Sequence, residues 1–431
     1  MLDVNLIREF PNKVKESIKK RGEDEGVVDQ FLKIDQQWRL LKAQIDDLKS
    51  QQKKLGSNQR EEAKKIKEKI QAEDNKVSCL EKERELLHYQ MSNLTQDDVP
   101  IGKDEKENVV IKEWGNKPQF DFKPKDYMEI AENLDLIDVK RAAKISGARF
   151  GFIKKEAVFL ELALINFAFD ILSKQSFVPI VPPVMIKSEM MGKMGYLKKT
   201  QDLPAKWENE EVYFLRDDDL ILVGTSEQSI GSMHADEVFE KNDLPKRYAG
   251  FSTCFRREAG AYGKDTKGIL RVHQFDKIEM FSFCQPQDSK EEHNLLLQTE
   301  EKLMQLLNIP YRVVKICSGD LGSPAAAKYD IEAWLPGQPS TNSGQGTYRE
   351  THSTSNCTDF QARRLNIRYR DLKTNKLEFV HTLNGTALAI GRTLIAIIEN
   401  YQTAEGNFVV PEVLRKYFDG LSFDHKKVIK N

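Results

Sequence analysis

The chain has 431 residues, enough for about two to three domains at roughly 150 residues each and ample for a buried core. Hydrophobic residues make up 39% and charged residues 31%. The formal net charge of −1 excludes bulk attraction to nucleic acid or an anionic membrane, so any polyanion site must be a local patch.

Five widely spaced cysteines, Cys79, Cys254, Cys284, Cys317 and Cys357, include no C-x-x-C pair, which argues against a disulfide framework or a zinc site. The start Met1-Leu2-Asp3-Val4-Asn5 has no basic stretch leading into an apolar run, and nowhere do 18 apolar residues follow one another. The expectation is a cytoplasmic protein without a membrane partner, in which the sequons at Asn93, Asn356 and Asn384 never meet a glycosylating enzyme.

Apolar residues at Val27, Phe31, Ile34, Trp38, Leu41, Ile45, Leu48 and Leu55 alternate steps of four and three, broken only at Gln52, which predicts a long amphipathic helix. A second series, Ala63, Ile66, Ile70, Val77, Leu80, Leu87, Met91 and Leu94, holds the same register with Glu73 and Arg84 as polar exceptions. Gly56-Ser57-Asn58 between them predicts a turn. The two helices form an antiparallel hairpin arm over about 27–97, reaching roughly 42 Å at a rise of about 1.5 Å per residue. Between positions 49 and 69, eight basic residues stand against three acidic ones, whereas the arm as a whole is nearly neutral. Such a hairpin can be a dimerisation or spacer coil. Its positive tip, with Lys53, Lys54, Arg60, Lys64 and Lys65, also suits a phosphate backbone held away from the main body.

Asp97-Asp98-Val99-Pro100, a charged run, Pro118 and Pro124 mark a linker around one short strand, Val109-Val110-Ile111. The predicted division is an N-terminal domain at 1–100, a linker at 101–125 and a larger domain at 126–431. In the last of these, an apolar helix over 157–172 precedes Phe177-Val178-Pro179-Ile180-Val181-Pro182-Pro183. Strand-like runs follow at 212–215, 220–223, 277–283, 311–316 and 329–334, with helical patterns over 291–307 and 388–401. Several runs succeed one another without a crossover helix, so the predicted fold class is α+β: a helical hairpin, then a mainly antiparallel sheet flanked by helices.

Neither G-x-x-x-x-G-K-[ST] nor a strand followed by G-x-G-x-x-G occurs, which removes the two commonest nucleotide cradles. What stands out is Phe255-Arg256-Arg257-Glu258, a loop with Gly260, Gly263 and Gly268, and Arg271-Val272-His273-Gln274-Phe275-Asp276-Lys277-Ile278-Glu279. Over 246–277 eight basic residues stand against three acidic ones. Arginine on a strand grips a carboxylate or phosphate in two-pronged fashion, and glycines let a loop close over a ligand. Polyphosphate binding fits these parts, as does a basic hairpin at a surface. Farther on, Phe379-Val380-His381-Thr382-Leu383-Asn384-Gly385-Thr386-Ala387 leads into an apolar helix whose first turn carries Arg392. The helix dipole disfavours an arginine there, so its presence implies an anion to meet it.

Together these segments resemble the three signature motifs of class II aminoacyl-tRNA synthetases. The chain is similar nearly end to end to seryl-tRNA synthetases of the bacterial type, including Met1-Leu2-Asp3, Ile7-Arg8, the arm and Ser146-Gly147-Ala148-Arg149-Phe150. The resemblance implies that Pro183 is the motif 1 proline at a homodimer interface, Arg256 and Glu258 the F-R-x-E pair of motif 2, and Arg392 the motif 3 arginine. Arg256 would bind the ATP α-phosphate and the serine carboxylate, and Glu258 the adenine amino group. Phe275 would stack on adenine, with Arg392 on its other face and near the γ-phosphate. Arg257, Arg271, Val272, Thr351 and His352 would belong to the same ATP site. Thr225-Ser226-Glu227 resembles the family's T-x-E serine loop, with Glu227 holding the substrate ammonium, Glu279 and Thr386 meeting its hydroxyl, and Asn384 in the same pocket. Glu350 would coordinate Mg2+, with Ser353 helping to hold metal or phosphate.

Two departures stand out: His352 replaces a common serine, and Thr386 replaces a frequent serine but keeps a hydroxyl. The implied reaction is ATP-dependent ligation of L-serine to the 3′ end of tRNA(Ser) through seryl-adenylate, with tRNA(Sec) as a further candidate acceptor. A related protein that binds RNA without catalysis would be expected to lack the ATP arginines, which are present here. His234, His273, His352 and His381 show no paired metal spacing and are expected to be structural hydrogen-bonders.

Overall fold

The computed structural model describes residues 1–55, 59–199, 207–259, 268–338, 346–371 and 373–418. The expected turn Gly56-Ser57-Asn58 and the loop glycines Gly260 and Gly263 lie outside the described residues.

Two short helices that the heptad pattern does not reach open the chain, α1 (Val4–Glu9) and α2 (Pro11–Lys20). Asp3 caps the first by accepting from the Asn5 amide at 2.7 Å, and Pro11 starts the second, where its missing N–H is harmless. The arm follows as α3 (Gly26–Lys54) and α4 (Arg60–Gln90). Its seam is built from the expected positions: Ile45, Ile70 and Val77 are buried, with Trp38, Leu41, Leu48 and Ile66 against them. At its base Phe31, Leu87 and Met91 join Ile7, Val14, Ile18 and Val28 in one apolar cluster, which anchors the lever on α1 and α2.

Arg84, a polar exception in the heptads, lies over the Phe31 and Trp38 rings and reaches Asp35 at 2.7 Å. Asp35 is fully buried and also receives Arg8 at 2.8 Å and Arg39 at 3.1 Å. Burial works against its ionisation, but hydrogen bonds from Arg8 and Arg84 prevail and hold its pKa below the ordinary carboxylate value.

The larger domain is organised on one eight-stranded sheet. Its strands in chain order are β1 (Val109–Trp114), β2 (Val178–Ile180), β3 (Lys246–Phe255), β4 (Gln274–Cys284), β5 (Tyr311–Lys315), β6 (Ala327–Leu335), β7 (Thr347–Asn356) and β8 (His381–Ala389). Across the sheet they run β1-β5-β6-β7-β8-β4-β3-β2. Every neighbouring pair is antiparallel except β2 with β3. Three helices, α5 (Glu156–Ser173), α6 (Ser289–Leu306) and α7 (Ile390–Asn400), form the main core with alternate sheet residues such as Ile278, Met280, Ile331, Ala333, Leu383 and Ala387. The intervening residues, including Lys277, Glu279, Asn384 and Thr386, point the other way and face a cavity.

Several expectations change in detail. The strand expected within the linker is the edge of the main sheet, pairing with β5. The run at 212–215 is not a strand; it offers only a bridge between Phe214 and Ile221. The helix expected from 388 begins at Ile390, because β8 keeps its ladder through Ala389. All five cysteines are free thiols. Among the described residues no helix is long and apolar enough to cross a membrane.

Candidate active site

The cavity holds about 610 Å³ and is walled by β3, β4, β6, β7, β8 and the first turn of α7. Arg256 and Arg392, 136 positions apart in sequence, both line it, together with Glu258, Arg271, Val272, Phe275, Glu350, Thr351 and Ser353. Thr225, Glu227, Glu279, Asn384 and Thr386 line the same space.

Arg256 follows the last residue of β3. Its amide donates to the His273 carbonyl at 3.0 Å, its Nε donates to the Gly224 carbonyl at 3.1 Å, and its guanidinium sits 5.4 Å from the centre of the Phe275 ring. Glu258 is held at φ +49°, a conformation that favours glycine, with its carbonyl accepting from Arg149 at 3.2 Å and its carboxylate 3.7 Å from Arg271. Arg392 stands in the first turn of α7, where Ala389 offers no side-chain cap, so that turn's free N–H groups add to the positive potential. It donates to the Glu350 carbonyl at 2.8 Å and pairs with the Glu350 carboxylate at 3.3 Å. Burial opposes ionisation of Glu350, yet the charges of Arg392, Lys328 and Arg256 outweigh it and hold the pKa at about 2. This end of the cavity gathers its cations around the Glu350 carboxylate.

A register break explains how Glu350 and Ser353, three residues apart on a strand, share one wall. Ile331 faces His352 while Glu332 faces Glu350, so Thr351 is an extra residue in β7. A second break in β8 leaves Ala387 unpaired, since Ile278 faces Leu388 and Glu279 faces Thr386. Beyond it the parity changes, and Ala389 joins Asn384 and Thr386 in lining the cavity.

The opposite end is carboxylate-rich. Glu227 starts the short helix Glu227–Ser232 and is buried, accepting from Tyr196 Oη at 2.6 Å and from Gln361 Nε2 at 3.1 Å. Burial, and then the nearby Glu279 charge, raise its pKa to about 7 against those two donors. Glu279 pairs closely with Lys277 and accepts from the Thr386 hydroxyl at 3.5 Å. Asn384 Nδ2 lies 3.8 Å from Cys357 Sγ.

Three residues expected at the site do not line the cavity. Ser226 is wholly buried and donates to the Gly250 carbonyl at 3.1 Å. Arg257 donates its amide to the Glu211 carbonyl at 2.9 Å, and its charge acts on Tyr213. His352 is buried, with Nδ1 2.8 Å from the Thr351 hydroxyl and a pKa lowered by burial to about 4, because strand alternation turns it away from the face that Ser353 occupies. Pro183 lies exposed outside the cavity, its carbonyl accepting from Ser229 at 2.6 Å. Lys53, Lys54, Arg60, Lys64 and Lys65 are exposed at the far end of the arm. Sequence reasoning did not single out Tyr196, Gln361 and Lys328, which have no motif of their own; only the fold brings them to the carboxylates they touch or face.

Residues 1–97 match the family model of the seryl-tRNA synthetase N-terminal domain, and residues 212–401 match that of the tRNA synthetase class II core domain (G, H, P, S and T). The chain is 45% identical over 428 residues to the serine–tRNA ligase of Thermobifida fusca, covering 97% of each chain. It is 44% identical over 430 residues to that of Dictyoglomus thermophilum, covering 97% of this chain and 98% of the other. The chain belongs to the seryl-tRNA synthetase family. A seryl-tRNA synthetase from Pyrococcus horikoshii, solved in complex with ATP, superposes with a TM-score of 0.88 at 41% identity, over 97% of this chain and 98% of that one. The family, the α+β class II fold and the serine–tRNA ligase activity implied by the motifs are thus those of this chain, which uses ATP to attach serine to tRNA.

Proposed function

We propose that the cavity forms seryl-adenylate from L-serine and ATP and passes the seryl group to tRNA(Ser), with the residues acting as follows. The meeting of Arg256, Arg392, Glu350 and Glu227 in one cavity carries this reading. The cationic end receives the triphosphate, with Phe275 and Glu258 toward adenine and Arg271, Val272 and Thr351 beside them. The carboxylate end receives serine, its ammonium on Glu227 and its hydroxyl between Glu279 and Thr386, next to Asn384 and Thr225. The serine carboxylate then attacks the α-phosphorus in line, and pyrophosphate departs toward Arg392. The terminal ribose hydroxyl of tRNA attacks the adenylate carbonyl in the second step, releasing AMP. Both steps need spread charge neutralised, which fixed guanidinium groups in a restricted cavity supply without reorganisation.

Glu350, ionised, and Ser353 on the same wall offer the hard oxygen donors that suit Mg2+. Among the described residues no three His, Cys, Asp or Glu side chains gather as a metal site, so an ion held here would share its ligands with the triphosphate. Mg2+ in that place supplies charge neutralisation to the phosphates. Glu279 and Thr386 would lose their partner if alanine took the place of serine, and sites built around a substrate hydroxyl discriminate by about 10⁴-fold.

The arm reads tRNA through its positive tip, residues 1–100 forming the tRNA-binding domain and 126–431 the catalytic domain, with 101–125 joining them and lending β1 to the catalytic sheet. The enzyme works as a cytoplasmic homodimer. Support for the dimer is the edge position of β2, unpaired on its outer side among the described residues, together with exposed Val178, Val181, Met185, Val158 and Leu162 and with Pro183. The experiment that tests the central reading is pyrophosphate exchange dependent on L-serine, ATP and Mg2+. Exchange with another amino acid but not serine would reassign the pocket.

A further inference from the structure

The helical domain contributes to the cavity wall. Arg21, directly after α2, is buried and turns its guanidinium onto main-chain carbonyls. Nη1 donates to Ala325 at 3.0 Å and Nη2 donates to Leu321 at 3.1 Å and Gly322 at 2.7 Å. Asn93, just past α4, is buried as well. Its Nδ2 donates to the carbonyls of Pro324 at 2.9 Å and Cys357 at 2.8 Å and to the Thr358 hydroxyl at 3.1 Å, and its amide donates to the Ser323 carbonyl at 2.9 Å. Segment 321–325 lacks helix or strand, so these two side chains answer carbonyls that no ladder satisfies. Gly322, Pro324, Ala325 and Cys357 all line the cavity.

The bonds of this clamp lead to the carboxylate end. Cys357 Sγ lies next to Asn384, and Gln361, four residues on, holds Glu227. Phe275 and Arg392 stand on β4 and α7, which neither clamp residue touches in any of these bonds.

We propose that Arg21 and Asn93 are positioning residues for the amino acid substrate: they fix segment 321–325 and the Cys357 backbone so that the serine end keeps its shape while the ATP end is formed independently. This rests on the assignment of the carboxylate end to serine. It also makes the base of the arm, unlike its tip, part of the activation chemistry.

The test is pyrophosphate exchange without tRNA on full-length Asn93→Ala and Arg21→Lys, with serine and ATP varied separately. Loss of two or more buried hydrogen bonds at one wall should raise KM for serine about tenfold and leave KM for ATP within about twofold. The milder Asn93→Ser, which keeps one donor at shorter reach, should fall between Asn93→Ala and the parent. It decides the matter by the same ratio should Arg21→Lys fail to fold. A parent enzyme that exchanges with serine, together with variants whose two KM values stay unchanged or rise in parallel, overturns the positioning role. A parent that does not respond to serine overturns the assignment of the pocket instead.

Discussion

Replacing Glu227 with glutamine should remove most serine activation while raising the melting temperature of the empty protein. The carboxyl is buried, and its pKa rises from an ordinary 4.5 to about 7 through burial and the Glu279 charge. A carboxyl raised in the folded state releases its proton first in the unfolded chain, so stability falls as pH climbs from about 4.5 to about 7. The deficit is complete above that range, and at about 1.4 kcal/mol per unit it totals about 3 kcal/mol. Glu227→Gln carries no such charge, so its gain should be near zero at pH 4.5 and full at pH 8, read as melting temperature against pH. Serine binds through its ammonium to the ionised form, which grows from about one tenth at pH 6 to about nine tenths at pH 8, so kcat/KM for serine should rise about tenfold over that interval and then level. The variant should lose at least 10²-fold in kcat/KM, in line with about 3–5 kcal/mol for breaking a buried charge pair, and show no such rise. A flat profile in the parent enzyme, or a variant no more stable at pH 8, would refute the reasoning.

Arg392→Ala takes away a partner of Glu350 and a charge facing the phosphates, and should lower the rate of pyrophosphate exchange by about 10²–10³-fold with serine KM little changed. Reversing the charge of Lys53, Lys54, Lys64 and Lys65 should weaken tRNA binding and flatten its dependence on salt while sparing exchange, as titrations at several ionic strengths would show. Replacing residues 43–80 by a short turn keeps the contacts of Trp38 and Lys42 with Glu81 and leaves Asn93 in place; it should abolish charging of tRNA but not exchange. Asp35→Ala strands Arg8 and Arg84 at the base of the arm and should destabilise the helical domain by about 3 kcal/mol at pH 7. Because the Asp35 pKa is lowered, the parent should lose part of that stability as pH falls below the ordinary carboxylate range, and chemical denaturation at both pH values would show the two curves drawing together.

The arm was legible because a heptad seam repeats over many turns, and its exceptions were local: Arg84 departs from the pattern to neutralise Asp35 across the hairpin. The motif arginines were legible because guanidinium groups beside glycines and at a helix start are physically odd unless an anion is present. His352 and Ser226 were assigned to the site through their neighbours in sequence, but a strand sends adjacent side chains to opposite faces, and a tight turn can bury the middle of three residues. The partners of the reacting groups were not legible. Tyr196, Lys328 and Gln361 come from different segments and meet only because sheet and loops converge. Arg21 and Asn93 sit more than 200 residues before the loop that they hold, and Asn93 looked only like an unused sequon.

The extra residues at Thr351 and Ala387 have a consequence for how this enzyme tolerates change. If the strand paired evenly through Thr351 instead of bulging there, Glu350 and Ser353 would fall on opposite faces and Glu350 would swing toward the helices, although every residue assigned a chemical role would still be spelled in the chain. Two relatives could therefore agree at all the acidic and basic positions of the site and yet differ in activity through a one-residue shift in strand pairing. For this pocket the register of a strand carries as much information as the residues in it.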